Sequence, residues 1–124
     1  MNGNSILLDT NIVLYLLSGD KELSNILFNR KLYVSFVTQL ELLGYPDISD
    51  AERQEIRNFL NDCIIIDINN RIKEEVIRIK QNQRIKLPDS IIMATSKYLG
   101  IPVISSDSAF SKAEEINVIF YEKE

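Results

Sequence analysis

Four acidic residues each lie at one end of a short apolar run in this chain. They are Asp9, Glu41, Asp89 and Asp107. In an α/β protein the carboxyl ends of the strands meet at one edge of the sheet, where ligands bind. Carboxylates gathered at such an edge repel one another unless a cation lies between them. The pattern therefore predicts a site for a hard, oxygen-ligated cation such as Mg²⁺ or Mn²⁺.

The residue types that the sequence lacks exclude several kinds of catalytic and metal-binding group. The 124 residues contain no histidine and one cysteine, Cys63. Without histidine the commonest general base, the Ser–His and Cys–His pairs and most zinc sites are excluded. Cys63 lies in an apolar stretch, which favours a small buried hydrophobic residue over a catalytic thiol. Chemistry in this chain must therefore come from carboxylates, hydroxyls, lysines or a metal ion.

Each acid also has an ordinary structural explanation. Asp9 and Asp107 precede predicted helical segments, which a carboxylate can cap. Glu41 lies three residues after Thr38, the spacing of a capping box. Asp89 falls in the first turn of a predicted helix, where the helix dipole favours an acid. These explanations stay open for any one residue, but four acids at one predicted sheet edge favour a common site.

Short apolar strands alternate with helical segments along the chain. Strands are predicted at residues 6–9, 33–36, 63–66, 102–104 and 118–120. Helices are predicted at residues 11–17, 23–28, 38–43, 51–60, 68–79, 88–99 and 109–114. This alternation predicts a parallel sheet covered by helices on both faces. Leucines on both sides of Glu41 predict that its short helix is mostly buried, where an acid needs a partner.

Size and composition predict a single globular domain spanning residues 1–124. Apolar residues make up 45% and charged residues 26% of the sequence, as in ordinary globular proteins. No apolar run approaches the roughly 20 residues that span a bilayer, and Met1–Ser5 lacks the basic region of a signal peptide. With a lone cysteine and no disulfide framework, the sequence predicts a cytoplasmic protein without membrane association.

Basic residues are concentrated in one segment of an otherwise acidic chain. The net charge of −4 argues against an indiscriminate nucleic-acid binder. Six basic residues nevertheless fall between positions 71 and 86, beside only two glutamates: Arg71, Lys73, Arg78, Lys80, Arg84 and Lys86. A solvated helix face explains this segment. A strip that binds phosphates beside the metal site is the alternative explanation.

Four short motifs give the sequence a likeness to a known family. They are Leu8-Asp9-Thr10-Asn11, Thr38-x-x-Glu41-Leu42, Asp89-x-x-Ile92-Met93-Ala94 and Ser105-x-Asp107-x-x-Phe110. In this order and spacing, across essentially the whole chain, they resemble the PIN-domain nucleases, and within them the VapC-like toxins of type II toxin–antitoxin pairs. The resemblance implies a three-layer α/β/α fold with a five-stranded parallel sheet.

The same resemblance implies a site for Mg²⁺ or Mn²⁺. Its ligands, direct or through water, would be Asp9, Glu41, Asp89 and Asp107, with Asn11 and Ser105 in support. Two positions depart from the family pattern. Ser90 replaces the usual alanine after the third acid, and Ala109 stands near the place where some relatives carry a further acid. The second departure leaves open whether one or two metal ions bind.

The activity implied by the resemblance is metal-dependent hydrolysis of RNA phosphodiester bonds, with the basic segment guiding the substrate. The implied partners are RNA, a small antitoxin protein and a second copy of the chain. A housekeeping PIN-domain ribonuclease and a non-catalytic PIN-like binding module are alternatives. Phosphotransferases and receiver domains also place an acid after the first strand, but the haloacid-dehalogenase pattern requires an aspartate where Asn11 stands. Structure-specific DNA nucleases of this fold usually carry large insertions, which this compact chain lacks.

Overall fold

The computed structural model describes residues 3–123, which form one parallel sheet flanked by helices. The strands are β1 (Ser5–Leu8), β2 (Lys31–Ser35), β3 (Ile64–Ile66), β4 (Val103–Ser105) and β5 (Val118–Phe120). The helices are α1 (Thr10–Leu17), α2 (Lys21–Leu27), α3 (Phe36–Leu43), α4 (Asp50–Asn61), α5 (Asn70–Asn82), α6 (Leu87–Leu99) and a 3₁₀ helix (Ser108–Lys112). Met1 and Asn2, in the segment analysed for a signal peptide, lie outside the described residues.

The order of the strands creates the crevice in which the acids meet. The sheet has the order β3-β2-β1-β4-β5, and every pairing is parallel. The chain therefore builds outward from β1 to β3 and then crosses back to place β4 on the other side of β1. Leu8 pairs with Ile104, so Asp9 and Ser105 follow side by side at the carboxyl edge. In such sheets the ligand crevice lies where the strand order reverses.

Both faces of the sheet are buried, which gives three layers. On one face Leu8 and Ile104 pack with α1, α2 and α4. On the other face Leu7 and Val103 pack with α6, and α5 packs against α6 through a further apolar cluster. Continuous apolar strands are expected when helices cover both faces of a parallel sheet. The predicted α/β/α architecture with five parallel strands is confirmed.

Helix α3 begins two residues earlier than the sequence predicts. Ser35 has an extended backbone and its hydroxyl accepts a hydrogen bond from the amide of Val37 at 3.2 Å, so Ser35 is the N-cap. Thr38 therefore lies inside the helix, and the alternative explanation of Glu41 as part of a capping box with Thr38 is excluded. The helix is also only half buried, because Leu42 is fully enclosed while Leu40 is 61% exposed.

The other differences concern element boundaries. Helix α5 begins at Asn70 because the side chain of Asn69 caps it through the amide of Ile72. Helix α6 has Pro88 in its first turn and ends at Gly100, whose φ of 67° is left-handed, as the sequence predicts. The helix predicted at residues 109–114 is the shorter 3₁₀ helix. None of the helices within residues 3–123 is long and apolar enough to cross a membrane.

Leu40 and Leu42 of α3 provide a matched test of this packing. We expect Leu42→Ala to lower the free energy of unfolding by about 2–5 kcal/mol, because it leaves a cavity in the core. Leu40→Ala removes the same atoms from an exposed position and should change it by no more than about 0.5 kcal/mol. Urea unfolding followed by circular dichroism measures both values. Equal losses for the two variants would contradict the assigned orientation of α3.

Candidate active site

Asp9 is the most buried of the four acids. It is 4% exposed and lies between the end of β1 and the start of α1, where it is the N-cap. Its Oδ1 accepts the amide hydrogen of Thr10 at 2.8 Å, and its Oδ2 accepts the hydroxyl of Ser105 at 2.7 Å. The capping explanation for Asp9 is therefore correct, and the same carboxylate also faces the end of β4.

The electrostatics of Asp9 show which acids lie near it. Burial is the largest influence and raises the pKa of Asp9. The hydrogen bonds from Ser105 and Thr10 lower that pKa, whereas the negative charges of Asp107 and Glu41 raise it further. Such interactions weaken with distance, so the structure brings Asp107 and Glu41 to the same edge as Asp9.

Ser105 joins the carboxyl ends of β1 and β4. Its side chain is fully buried, donates its hydroxyl hydrogen to Asp9, and accepts the amide hydrogen of Asp107 at 3.0 Å. Asp107 in turn accepts the amide hydrogen of Ala109 at 2.8 Å and caps the 3₁₀ helix. One hydroxyl thus orients the first acid through its side chain and the last acid through its backbone.

Glu41 is held by a pair of threonines. The hydroxyl of Thr10 donates to Oε1 of Glu41 at 2.8 Å and lies 2.9 Å from the hydroxyl of Thr38. A hydroxyl has one hydrogen, and that of Thr10 goes to Glu41, so Thr38 donates to Thr10. Because the amide of Thr10 also binds Asp9, Thr10 connects two of the four acids.

Thr10 and Thr38 are the site residues that sequence reasoning missed. Both are buried and both were visible in the motifs, Thr10 directly after Asp9 and Thr38 three residues before Glu41. The spacing of Thr38 and Glu41 also fits a capping box, but Ser35 provides the cap. A buried threonine that lies inside a helix, near an acid of the site, indicates a hydrogen-bond partner in the site. A threonine that caps a helix would lie before its first residue.

Asp89 shows most directly that all four acids interact. It lies in the first turn of α6 and is partly buried. Burial, followed by the charges of Asp107, Asp9 and Glu41, raises its pKa from 3.8 to about 6. Lys86 is the positive group that opposes this shift. The sheet and α6 therefore bring together the four acids that the sequence singled out.

The arrangement fits a cation held partly through water. Within the described residues, no three acidic or cysteine side chains are placed together as a complete set of metal ligands. The pKa values of Asp9 and Asp89 are nevertheless raised by burial and by neighbouring acids, and neither carboxylate forms an ion pair within the described residues. Magnesium usually keeps several waters and takes only one or two carboxylates. The donor set suits that mode of binding and does not suit a fully ligated cage.

Comparison with known proteins identifies the family. A family model described as "PIN domain" matches residues 6–116 of this chain. The chain belongs to the PIN-domain family. The resemblance inferred from the four motifs is therefore confirmed. A comparison with curated protein sequences gives no significant match.

Solved structures similar to this PIN domain come from toxin–antitoxin complexes. A chain of a toxin–antitoxin complex from Klebsiella pneumoniae has 29% identity and a TM-score of 0.81, covering 95% of this chain and 99% of that chain. A chain of VapBC2 from Rickettsia felis, bound to a promoter DNA fragment, has 16% identity, a TM-score of 0.83 and the same coverages. A chain of VapBC-5 from Mycobacterium tuberculosis has 18% identity, a TM-score of 0.67 and again 95% and 99% coverage. The latter two likenesses establish the fold alone.

The remaining predicted residue in support of the site is Asn11. It lies in the first turn of α1, directly after Thr10, and is exposed. Its side chain is therefore on the solvent side of the turn that carries Asp9. The supporting role of Asn11 stays a prediction.

The six basic residues between positions 71 and 86 of this PIN domain do not form one continuous strip. Arg71 lies over the ring of Tyr98 at 5.8 Å. Tyr98 is in the last turn of α6, about 13 Å along the helix from Asp89. Arg78 is paired with Glu75 at 2.9 Å. Lys86, by contrast, is the cation that lowers the pKa of Asp89. The predicted phosphate-binding strip is therefore divided between separate parts of the α5–α6 surface.

The raised pKa of Asp89 predicts how stability depends on pH without divalent metal. Asp89 in the folded protein holds its proton up to about pH 6, whereas in the unfolded chain it releases it near 3.8. Its contribution to stability is therefore full below about pH 4 and is lost as the pH rises through about 6. At pH 7.5 in EDTA, we expect Asp89→Asn to stabilise the fold by about 1–2 kcal/mol, after allowing for solvent screening.

Urea unfolding at pH 4 and pH 7.5 measures this effect, and Asp62→Asn is the control. Asp62 is an exposed aspartate at the end of α4, so the same chemical change there removes no clustered charge. A stabilisation by Asp89→Asn that is equal at both pH values would show that the pKa of Asp89 is not raised in the folded protein.

Proposed function

We propose that this PIN domain is a ribonuclease that hydrolyses RNA phosphodiester bonds with the help of Mg²⁺ or Mn²⁺. The observation that carries the proposal is the gathering of four acids at the switch point of a PIN fold, where burial and then the charges of the other three acids raise the pKa of Asp89 to about 6. A protein does not gather uncompensated carboxylates without a cost in stability. A cation that binds among the four acids offsets this loss of stability, and the four carboxylates then act as its ligands.

Four side chains would hold the ion. Asp9, Asp89 and Asp107 would be the principal ligands, directly or through water, with Glu41 completing the set. When bound, such an ion lowers the pKa of a coordinated water and stabilises the charge that develops on phosphoryl oxygens. Ser105 and Thr10 fix the orientation of Asp9 beforehand, so less freedom is lost on binding.

Glu41 is the acid best placed to accept a hydrogen bond from the nucleophilic water. Thr10 donates to its Oε1, which restrains the side chain and leaves Oε2 as the oxygen that can accept a hydrogen from water. A carboxylate restrained in this way orients a nucleophilic water for attack on phosphorus. Asn11 would support the same first turn of α1. RNA, rather than DNA, is proposed from the family resemblance.

We further propose that the chain is the toxin of a toxin–antitoxin pair and forms a homodimer in the cytoplasm. The proposal is supported by the similarity, at 29% identity over nearly the whole of both chains, to a chain of a toxin–antitoxin complex. A small antitoxin would restrain the nuclease, and an arginine inserted among the acids would pair with a carboxylate in bidentate fashion. A housekeeping ribonuclease without a partner is the alternative.

Cleavage assays test the activity. We expect hydrolysis of single-stranded RNA in Mg²⁺ or Mn²⁺ and none in EDTA, because no side chain in this site replaces the ion. Asp89→Asn and Asp107→Asn should each reduce the rate at least ~100-fold, the usual effect of losing a group that stabilises transition-state charge. Asp62→Asn should cleave at the wild-type rate. Full activity in EDTA, or wild-type rates for both site variants, would refute the mechanism.

Co-expression with the adjacent small gene tests the partner. We expect the tagged chain to retain a small protein through purification, in a complex whose mass by light scattering corresponds to at least two copies of the nuclease. Expression of the wild-type chain alone should stop growth, whereas Asp89→Asn alone should be tolerated. Harmless expression of an active enzyme with no retained protein would favour the housekeeping alternative.

A further inference from the structure

We propose that four cations around the turn between α5 and α6 form a rim that binds the phosphate backbone of single-stranded RNA beside the acidic site. The members of this turn rim are Lys80, Arg84, Lys86 and Lys112. The inference rests on the proposed function and names the surface that holds its substrate. It narrows the basic segment seen in the sequence and adds Lys112, which lies outside that segment.

The residues of the turn rim differ from the neighbouring basic residues in their ion pairs. Arg78 binds Glu75 at 2.9 Å. Lys97 binds Glu75 at 3.1 Å and Glu115 at 2.7 Å. No ion pair to a carboxylate is made by any of the four rim residues in the part of the chain that the structure describes. The neighbours are therefore neutralised internally, and the positive charge of the rim is available to an anionic ligand.

Hydrogen bonds anchor the rim to a single short turn. The ammonium of Lys80 donates to the carbonyl of Ile85 at 2.7 Å, and that of Lys112 lies 3.4 Å from the carbonyl of Arg84. Cations from α5 and from the 3₁₀ helix are thus gathered at residues 83–86. An ammonium has three hydrogens to donate, so these contacts leave donors for phosphate oxygens. All four side chains are exposed.

The position of the rim relative to the acids suits a nuclease. Lys86 precedes Asp89 by three residues and lowers its pKa. Lys112 belongs to the 3₁₀ helix that Asp107 caps. The rim therefore adjoins two of the four acids through short connections.

The position of the turn rim beside the acids explains how a chain with a net charge of −4 can bind RNA. An acidic cluster repels a polyanion, so the substrate requires local positive charge close to the reacting phosphate. A rim of four cations that form no ion pair within the described residues supplies it. Its charge pattern matches a phosphate backbone, in which negative groups repeat at short intervals.

Salt-dependent binding of RNA tests the inference separately from cleavage. The full chain carrying Asp107→Asn, in EDTA, is titrated with a fluorescein-labelled single-stranded RNA of 20 nucleotides across a series of salt concentrations. In that background we expect Arg84→Gln, Lys86→Gln and Lys112→Gln each to weaken binding several-fold. Each should also make the slope of log K against log salt shallower by about 0.7, the value for one phosphate contact on a single strand.

Arg57→Gln is the matched control. Arg57 is an exposed arginine on α4, so its loss changes the net charge equally without touching the rim. We expect it to leave the slope unchanged. The unfolding midpoints of Arg84→Gln and Lys112→Gln should match that of the background, and all variants should remain folded under the binding conditions. A loss of binding then does not come from unfolding.

The outcomes distinguish the rim from the proposed function. If the background binds RNA with a steep salt dependence and the rim variants behave like Arg57→Gln, the rim is refuted and the ribonuclease proposal stands. If the background does not bind RNA and the wild-type chain does not cleave it, both fail. If the rim variants bind RNA normally but lose the antitoxin, the surface is a protein-docking site and the inference is overturned.

Discussion

Repulsion among four carboxylates is the constraint on which this edge of the PIN domain depends. Asp9 is almost fully enclosed, and burial and neighbouring charges both raise its pKa. The fold opposes this with two donors, the hydroxyl of Ser105 and the amide of Thr10. The Thr10 amide directly follows Asp9 at the start of α1, whereas the Ser105 hydroxyl reaches Asp9 because β1 and β4 are neighbours and end in register. Loss of that pairing would separate the buried acid from the Ser105 hydroxyl.

Structural and functional roles coincide in this site rather than compete. Asp9 and Asp107 both cap helical turns through backbone amides, and both belong to the acidic cluster. A cap fixes a carboxylate at the end of a strand at little cost, since the helix needs the acceptor in any case. The ordinary explanation of these acids is therefore also the means by which the chain orients them.

Much of the fold follows from local patterns. The apolar runs predict the five strands, and Pro88 and Gly100 predict the limits of α6, because each of these features acts within a few residues. The convergence of the acids follows from the fold class, since parallel strands share a carboxyl edge. These predictions needed no knowledge of long-range contacts.

What the sequence did not reveal depends on contacts between distant residues. The spacing of Thr38 and Glu41 fits a capping box equally well, and only the backbone of Ser35 decides where the helix begins. The hydroxyl of Thr38 then turns to Thr10, 28 positions away. The basic residues between positions 71 and 86 lie on separate parts of the surface for a similar reason, because some of their partners are distant in the sequence. One of these residues lies against Tyr98, and another shares a glutamate with Lys97, and neither partner is evident from helical periodicity.

The exposed leucine of α3 shows the limit of composition as a guide. A run as apolar as that around Glu41 predicts a mostly buried helix, yet Leu40 is 61% exposed. An α-helix turns by about 100° per residue, so adjacent leucines cannot all face one core. One face of α3 must therefore meet solvent or another molecule. The sequence pattern alone does not say which.

The strand order also determines when the acids can meet during synthesis. β1 is made first, but its second neighbour β4 comes only after six helices and two other strands have followed. Until residue 105 has left the ribosome, Asp9 has neither the Ser105 hydroxyl nor the charge of Asp107 beside it. Translation proceeds at roughly 5–20 residues per second, so the nascent chain spends several seconds with an incomplete cluster. The order of the strands along the chain therefore delays assembly of the acidic site until nearly all of the domain has been made.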